Sequence, residues 1–352
     1  MVSKWTGLHS HEEQRQLFQR SIARGRLSHA YVLSGPDGIG KRQFARLLAR
    51  SLFCREHSED ELECCGECRA CRSFETNTWP DYLEIGVLPG KSEILISQLI
   101  GSDASRGREG LCYELSMAPQ ASERRIAVIN DAHRMNEDSA NALLKTLEEP
   151  PVNALILLIC DQPESLLPTI RSRCQVVRFF PLSDQEVSQI LVQEEMVESP
   201  EAAKAVAELA EGSLTVAAQL LSSDLRSLKE QVIDELNHLE RMNPVSIAKR
   251  VADEIERISS GGEEQRRNAM WLLRFVSEFL RRRMRKLADG DLDDPLLKRF
   301  GVRHGIDCLT PLQDRLHSAA RQIEGNSPVR LILEALFDDI ARQFRLGPVT
   351  AR

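Results

Sequence analysis

Three features are missing from this sequence, and each absence narrows the class of protein. No apolar run approaches the roughly 20 residues that span a bilayer, so we expect no membrane partner. The first residues lead into polar sequence without the apolar core of a signal peptide, so we expect a cytoplasmic location. Positive charge is not in excess, since 46 basic against 53 acidic side chains give a formal net charge of −7. This balance argues against a protein that coats DNA through bulk charge, although a local basic surface is compatible with it.

The composition is typical of a soluble protein with more than one domain. The chain has 352 residues, of which 42% are hydrophobic and 28% charged. A chain of this length accommodates about two or three domains. Nine cysteines are present, and five of them lie between Cys54 and Cys71. In a cytosolic chain, such clustering indicates a metal site rather than disulfides.

Residues 35–42, GPDGIGKR, form an altered phosphate-binding loop. The pattern G-x-x-x-x-G-K is followed in active sites by Ser or Thr. Gly35, Gly40 and Lys41 match it, Gly38 adds another glycine, and Arg42 replaces the hydroxyl that would hold Mg²⁺. An apolar run before the loop and helical spacing after it supply the strand-loop-helix context that the motif requires, although a chance glycine turn is the alternative.

Apolar runs alternate with helical segments in the first half of the chain. We predict buried strands over residues 30–33, 126–129, 154–159 and 176–180. Alternating strands and helices indicate a parallel sheet covered on both faces. After Pro181 the sequence is helical throughout, and Ser183 with Glu186 fits a capping box. The fold class is therefore α/β followed by all-α.

The acidic strand of the nucleotide site is also altered. In a working site this strand ends in Asp-Glu, where the Asp supports Mg²⁺ and the Glu polarises water. Here the pair is Asn130-Asp131, and Arg42 places a cation where the metal belongs. ATP can still bind through backbone amides and Lys41, but we do not expect hydrolysis, because phosphoryl transfer depends on the metal and on positioning.

The clustered cysteines have the spacing of a structural metal site. Cys65, Cys68 and Cys71 form a C-x₂-C-x₂-C run, and Cys54 lies upstream. Four thiolates suit tetrahedral Zn²⁺ with no open position. Cys64 competes with Cys65 for the second ligand, and free thiols on a loop are the alternative to a metal site. Bound zinc would explain how the acidic segment 56–63 stays ordered.

Several motifs together resemble the bacterial clamp-loader subunits of the AAA+ family. They are LSHAY at 27–31, the cysteine insertion after the P-loop helix, NALLKTLEEPP at 141–151, and Ser172-Arg173-Cys174. The resemblance is strong over residues 8–222 and weak in the C-terminal helices. Within the family, the damaged nucleotide site is similar to that of the delta-prime subunits of DNA polymerase III.

The resemblance implies an architecture and a set of partners. It implies an AAA+ P-loop domain over 1–180 with a zinc module at 54–71, a helical lid over 181–222, and a helical collar over 223–352. The collar would join a hetero-pentameric ring with gamma/tau-like motor subunits and a delta-like subunit. That ring would open the sliding clamp and load it onto primed DNA during replication.

The resemblance also implies roles for single residues. Arg173 would be an arginine finger that acts in trans on the ATP of a neighbouring motor subunit. Cys54, Cys65, Cys68 and Cys71 match the zinc ligands, although the first gap is longer here. Asp161 and Thr215 stand where the two nucleotide-sensing residues of the family would be. Two other functions stay open: an active gamma/tau-like ATPase, and an AAA+ adaptor outside replication.

Overall fold

The structure is a computed structural model that describes residues 9–237, 243–288, 310–325 and 327–346. It divides into two compact units, Met1–Ala217 and Ala218–Arg352. The start of the predicted domain 1–180 and the end of the predicted domain 223–352 lie outside the described residues. The proposed boundary between the P-loop domain and a lid at residue 181 stays a prediction.

Within its described residues, the first unit contains a parallel five-stranded sheet in the order β2-β3-β4-β1-β5. The strands are β1 (Ala30–Ser34), β2 (Tyr82–Ile85), β3 (Arg125–Ile129), β4 (Ala154–Cys160) and β5 (Gln175–Arg178). Four of them are the strands that the apolar runs predict. The fifth, β2, is missed because it lies at an edge with half-buried side chains and has no apolar run.

Helices precede, connect and follow these strands. They are α1 (Glu12–Ala23), α2 (Lys41–Phe53), α3 (Arg69–Glu75), α4 (Ile96–Ile100), α5 (Leu111–Ser116), α6 (Glu137–Glu148), α7 (Pro168–Arg171), α8 (Asp184–Gln193), α9 (Pro200–Ala210) and α10 (Leu214–Leu220). The capping box at the start of α8 is confirmed, because Ser183 Oγ accepts from the Glu186 amide while Glu186 Oε2 accepts from the Ser183 amide.

The sheet is buried on both faces, as the continuous apolar runs predict. Side chains alternate along β4: Leu155, Leu157 and Ile159 pack into one core with α2, whereas Ile156 and Leu158 pack into a second core with α6. This arrangement places the carboxyl ends of β1, β3 and β4 side by side at one edge. The loops that follow these three strands carry the predicted nucleotide-site residues.

The second unit is helical throughout its described residues. Its helices are α11 (Ser223–Asn237), α12 (Pro244–Arg257), α13 (Gly262–Ala288), α14 (Thr310–Glu324) and α15 (Val329–Leu346). The apolar stripe of α13 is buried, including Leu272 and Val276 at 0% exposure. The fold class, α/β followed by all-α, is therefore confirmed. Within the described part of the chain, the helices are all too short or too polar to cross a membrane.

Candidate functional site

The phosphate-binding loop lies between β1 and α2, and two of its glycines have no room for a side chain. A Cβ at Gly35 would lie 2.4 Å from the carbonyl oxygen of Phe179. A Cβ at Gly38, where φ is +75°, would lie 2.1 Å from Ser213 Oγ and 2.7 Å from Thr215 Oγ1. The Leu214 amide donates to the Gly38 carbonyl at 2.8 Å. The turn before α10 therefore closes directly over the loop.

Lys41 does not extend into open space at the start of α2. Its ammonium donates to the Gly35 carbonyl at 2.7 Å and to the Pro36 carbonyl at 2.5 Å. It also forms an ion pair with Asp161 Oδ1 at 2.8 Å, and its side chain is only 4% exposed. The charge that would contact the phosphates of a nucleotide is thus fully engaged within the chain. We call this arrangement the lysine lock.

A carboxylate that the sequence analysis did not single out organises the side of this site. Glu84 Oε1, on β2, accepts from Arg42 Nε at 2.6 Å and from Asn130 Nδ2 at 2.7 Å. Glu84 Oε2 accepts from Arg46 Nη1 at 2.7 Å and from the Tyr82 hydroxyl at 2.9 Å. Burial alone would raise the pKa of Glu84, but the Asn130 hydrogen bond, the nearby Arg42 and the Tyr82 hydroxyl together lower it.

Arg42 is therefore tied to the same carboxylate as Asn130 at the end of β3. A positive charge lies where an active site would hold a metal-binding hydroxyl, and its side chain is 65% exposed. Asn130 contributes an amide rather than a charge, and its buried Oδ1 has no hydrogen-bond partner. The local chemistry offers Mg²⁺ neither the hydroxyl nor the first carboxylate of a working site.

A cavity of about 620 Å³ gathers most of the predicted nucleotide-site residues. Its lining includes Gly38, Gly40, Lys41, Arg42, Asn130, Asp131, Asp161 and Thr215. Asp161 and Thr215 thus lie beside the loop, and their assignment as sensing positions stays a prediction. Gly35 is not part of the lining, and a side chain at this position would meet the backbone of Phe179, directly after β5.

The cysteine cluster forms at the end of α2 and the start of α3. The sulfur atoms of Cys54, Cys65, Cys68 and Cys71 all lie within 4.8 Å of one another, so this group could hold a metal ion. Cys64 is buried nearby but is not in the group of four. The structure therefore groups the sulfur of Cys65, rather than that of Cys64, with the other three sulfur atoms.

Backbone amides around the cluster point at sulfur, as in metal-binding turns. The amides of Cys68 and Cys71 donate to the sulfurs of Cys65 and Cys68 at 3.3 and 3.4 Å. Burial would raise the pKa of Cys68, but hydrogen bonds from the Arg55 and Cys71 amides lower it to about 7. Burial raises the pKa of Cys71 above that of an ordinary thiol.

The acidic segment 56–63 is docked rather than free. Arg124 pairs with Glu59 at 2.5 Å, and Arg15 of α1 pairs with Glu63 at 2.5 Å. Gln19 of α1 donates to the Glu61 carbonyl at 2.9 Å, and Leu62 is completely buried. The cysteine module is thereby attached to both α1 and the segment that leads into β3.

Arg173 follows α7 and is separate from the P-loop cavity. Its Nη1 donates to the Thr169 carbonyl at 3.0 Å, and its Nη2 pairs with Glu148 at 2.7 Å. Its side chain is 35% exposed, and it does not line the cavity that holds Lys41. The guanidinium is therefore presented at the surface and cannot serve the phosphate loop of its own chain in this arrangement.

The family model and the sequence comparisons both name subunits of DNA polymerase III. A family model described as "DNA polymerase III, delta subunit" matches residues 10–183. The chain is 34% identical to the DNA polymerase III subunit delta′ of Pseudomonas aeruginosa over 227 residues, which cover 64% of this chain and 66% of that protein. It is 36% identical to the delta′ subunit of Bacillus subtilis over 194 residues, which cover 55% of this chain and 54% of that protein.

A relative named tau matches over a similar number of residues. The chain is 33% identical to the tau subunit of Escherichia coli over 219 residues, which cover 60% of this chain and 31% of that protein. The matched stretches thus span about a third to two thirds of these relatives. Among solved structures, a gamma subunit-related protein of Thermotoga maritima is similar with a TM-score of 0.46 and 18% identity, over 94% of this chain and 100% of that one.

Proposed function

Since the chain belongs to the bacterial DNA polymerase III clamp-loader family, in which it is most like the delta′ subunits, we propose that it is a non-hydrolysing subunit of a clamp loader. It braces the ring of subunits and supplies Arg173 to the ATP site of a neighbouring motor subunit. Its partners are gamma/tau-like and delta-like subunits in a hetero-pentameric ring. The ring acts on the sliding clamp and on primed DNA.

The observation that carries this proposal is the state of the chain's own nucleotide site. Lys41 is held by two loop carbonyls and Asp161, and Arg42 is tied to Glu84 together with Asn130. Catalysis of phosphoryl transfer relies on a free lysine, a bound Mg²⁺ and a positioned water. A site whose charges satisfy one another supports the idea of a phosphate cradle without turnover.

The position of Arg173 supports a role in trans. Its guanidinium lies at the surface, paired with Glu148, where both side chains are partly exposed. A surface ion pair of this kind is worth about 0–1 kcal/mol, so exchanging it for the phosphates of a neighbour is inexpensive. Arginine also suits that task because its planar fork matches phosphate oxygens.

The cysteine cluster has a structural role in this proposal. One Zn²⁺ on Cys54, Cys65, Cys68 and Cys71 leaves no open coordination position and therefore supplies no catalysis. The ion instead orders the module, whose acidic segment contacts Arg15 and Arg124. Residues 54–71 contribute shape to the ring rather than chemistry.

Two measurements on the full chain test the proposal. Co-expression with gamma/tau-like and delta-like subunits should yield one complex on size exclusion, and the purified chain alone should show no ATP turnover above its Lys41→Ala variant. Turnover by the isolated chain that Lys41→Ala abolishes would favour an active ATPase. Failure to assemble with motor subunits would favour an adaptor outside replication.

A further inference from the structure

We propose that Asp131, His133 and Asp161 form a second metal site, which binds one divalent first-row transition ion in the absence of nucleotide. One ligand atom from each of these residues lies within 4.8 Å of the other two. This site is separate from the cysteine cluster and does not depend on the proposed function. Asp131 and Asp161 line the cavity beside the altered phosphate-binding loop.

The three residues are brought together by the sheet. Strands β3 and β4 are parallel neighbours, with Ile129 opposite Leu158. Asp131 lies two residues beyond β3, and Asp161 directly follows β4, so the two carboxylates leave the same edge of the sheet. Donors that follow adjacent strands are held by the backbone of the core rather than by long loops, which favours a preorganised site.

The turn after β3 adds the imidazole. Residues 132–134 form a short 3₁₀ helix, and Asp131 precedes it as the N-cap with a φ of +50°. The Arg134 amide donates to the Asp131 carbonyl at 2.7 Å and closes this turn. The left-handed conformation costs about 1–3 kcal/mol in a non-glycine residue, so surrounding contacts must enforce it. It positions Asp131 and His133 together near Asp161.

The charges and the hydrogen bonds of Asp131, His133 and Asp161 favour the binding of a cation. Among the described residues, Lys41 is the ion-pair partner of Asp161, and neither Asp131 nor His133 has such a partner. The two carboxylates and the one ammonium together leave a net charge of about −1. His133 Nδ1 is shielded from solvent and has no hydrogen-bond partner, so the ring carries an unsatisfied nitrogen.

The donor set selects the class of ion. One imidazole and two carboxylates with open positions suit Mn²⁺, Fe²⁺ or Zn²⁺, whereas Mg²⁺ prefers oxygen ligands alone. The cysteine cluster has the opposite preference, because thiolates favour Zn²⁺ over Mn²⁺. Mn²⁺ is therefore the probe that distinguishes the two sites. A bound ion would tie the ends of β3 and β4 together at the mouth of the cavity.

The test is a titration of the full chain with Mn²⁺, followed by the electron paramagnetic resonance signal of the free ion. The protein is first loaded with zinc at the cysteines, and no nucleotide is present. We expect saturation at one Mn²⁺ per chain. His133→Gln removes the imidazole and Asp161→Asn removes the charge of a carboxylate, so each variant should weaken binding by about tenfold or more.

Two further variants make the result specific. Asp37→Asn removes another carboxylate of the same cavity and should bind Mn²⁺ like the wild type. Lys41→Met removes the competing ammonium and should bind Mn²⁺ more tightly. Circular dichroism establishes that each variant is folded. No saturable binding by wild type up to millimolar Mn²⁺, or equal binding by wild type, His133→Gln and Asp161→Asn, would overturn the proposal.

Discussion

The lysine lock makes a quantitative prediction about nucleotide affinity. A nucleotide can use Lys41 only after the ammonium leaves Asp161, so Asp161→Asn should strengthen binding. The side chain of Lys41 is 4% exposed and that of Asp161 is 25% exposed. The pair therefore lies between an exposed one, worth about 0–1 kcal/mol, and a buried one, whose disruption costs about 3–5 kcal/mol. Because Lys41 keeps its two carbonyl partners, we take about 1–2 kcal/mol for the lock.

This free energy converts directly into affinity, because the locked state must open before binding. At 1.4 kcal/mol per factor of ten, Asp161→Asn should bind ATP about five- to thirtyfold more tightly than wild type. Fluorescence anisotropy with a labelled ATP analogue in Mg²⁺ measures the ratio. The assay measures binding alone. We expect no ATP hydrolysis to interfere with it, because position 42 of the variant is still Arg and lacks the metal-binding hydroxyl.

Removing any carboxylate from the cavity also lowers its repulsion of a polyanion. Asp131→Asn controls for this effect, because Asp131 lines the same cavity but does not pair with Lys41. The gain from Asp161→Asn should exceed that from Asp131→Asn. A gain no larger than the control's, including undetectable binding by both variants, would refute the lock.

Three further predictions concern stability and metal content. Metal analysis of protein purified without chelator should find about one Zn²⁺ per chain, and Cys65→Ser should lose it whereas Cys64→Ser should keep it. Asp81 is fully buried, accepts from the amides of Gln120, Ala121 and Ser122, and pairs with the buried Arg125 at 3.5 Å. Because Asp81→Ala takes this partner from a buried charge, it should cost about 3–5 kcal/mol in urea unfolding, and a loss below 1 kcal/mol would contradict this. Burial lowers the pKa of His11 from 6.5, so the folded state favours the neutral imidazole. Thermal stability should therefore fall as the pH drops below 6.5, and it should fall less in His11→Gln.

Asp81 has its own pH signature, which follows from the direction of its shift. Burial would raise the pKa of Asp81, but the amides of Gln120, Ala121 and Ser122 and the Ser122 hydroxyl lower it below 3.8. The ionised form is thus favoured in the folded state, and its stabilisation is complete well above 3.8. That contribution is lost as pH falls through the lowered pKa. The His11 effect therefore appears at higher pH than the Asp81 effect.

The sequence predicts those parts of the fold that depend on local pattern. The continuous apolar runs of β1, β3 and β4 indicate buried parallel strands, and the glycine spacing locates the phosphate loop. Clustered cysteines likewise identify the group that the structure brings within 4.8 Å. Each of these signals is contained in a short window of residues, which is why it can be seen without a structure.

What the sequence does not predict depends on contacts between distant positions. Glu84 joins Arg42 to Asn130 across 42 and 46 positions of sequence, and it sits in an edge strand without an apolar run. The ion pair between Asp161 and Lys41 likewise depends on the pairing of β1 with β4. Such partners are set by the order of strands in the sheet, for which the sequence carries no local signal.

ATP hydrolysis by reconstituted rings shows whether Arg173 serves the ATP site of a neighbouring subunit. ATP hydrolysis is compared for rings reconstituted with wild-type chain, Arg173→Ala or Arg171→Ala, where Arg171 is the matched control two positions away. Loss of an arginine finger lowers turnover about 10³–10⁵-fold at the site it serves. We expect Arg173→Ala rings to assemble but to lose that site's share of the rate, and Arg171→Ala rings to behave as wild type. Equal rates for all three rings would mean that Arg173 does not act in a neighbour's ATP site.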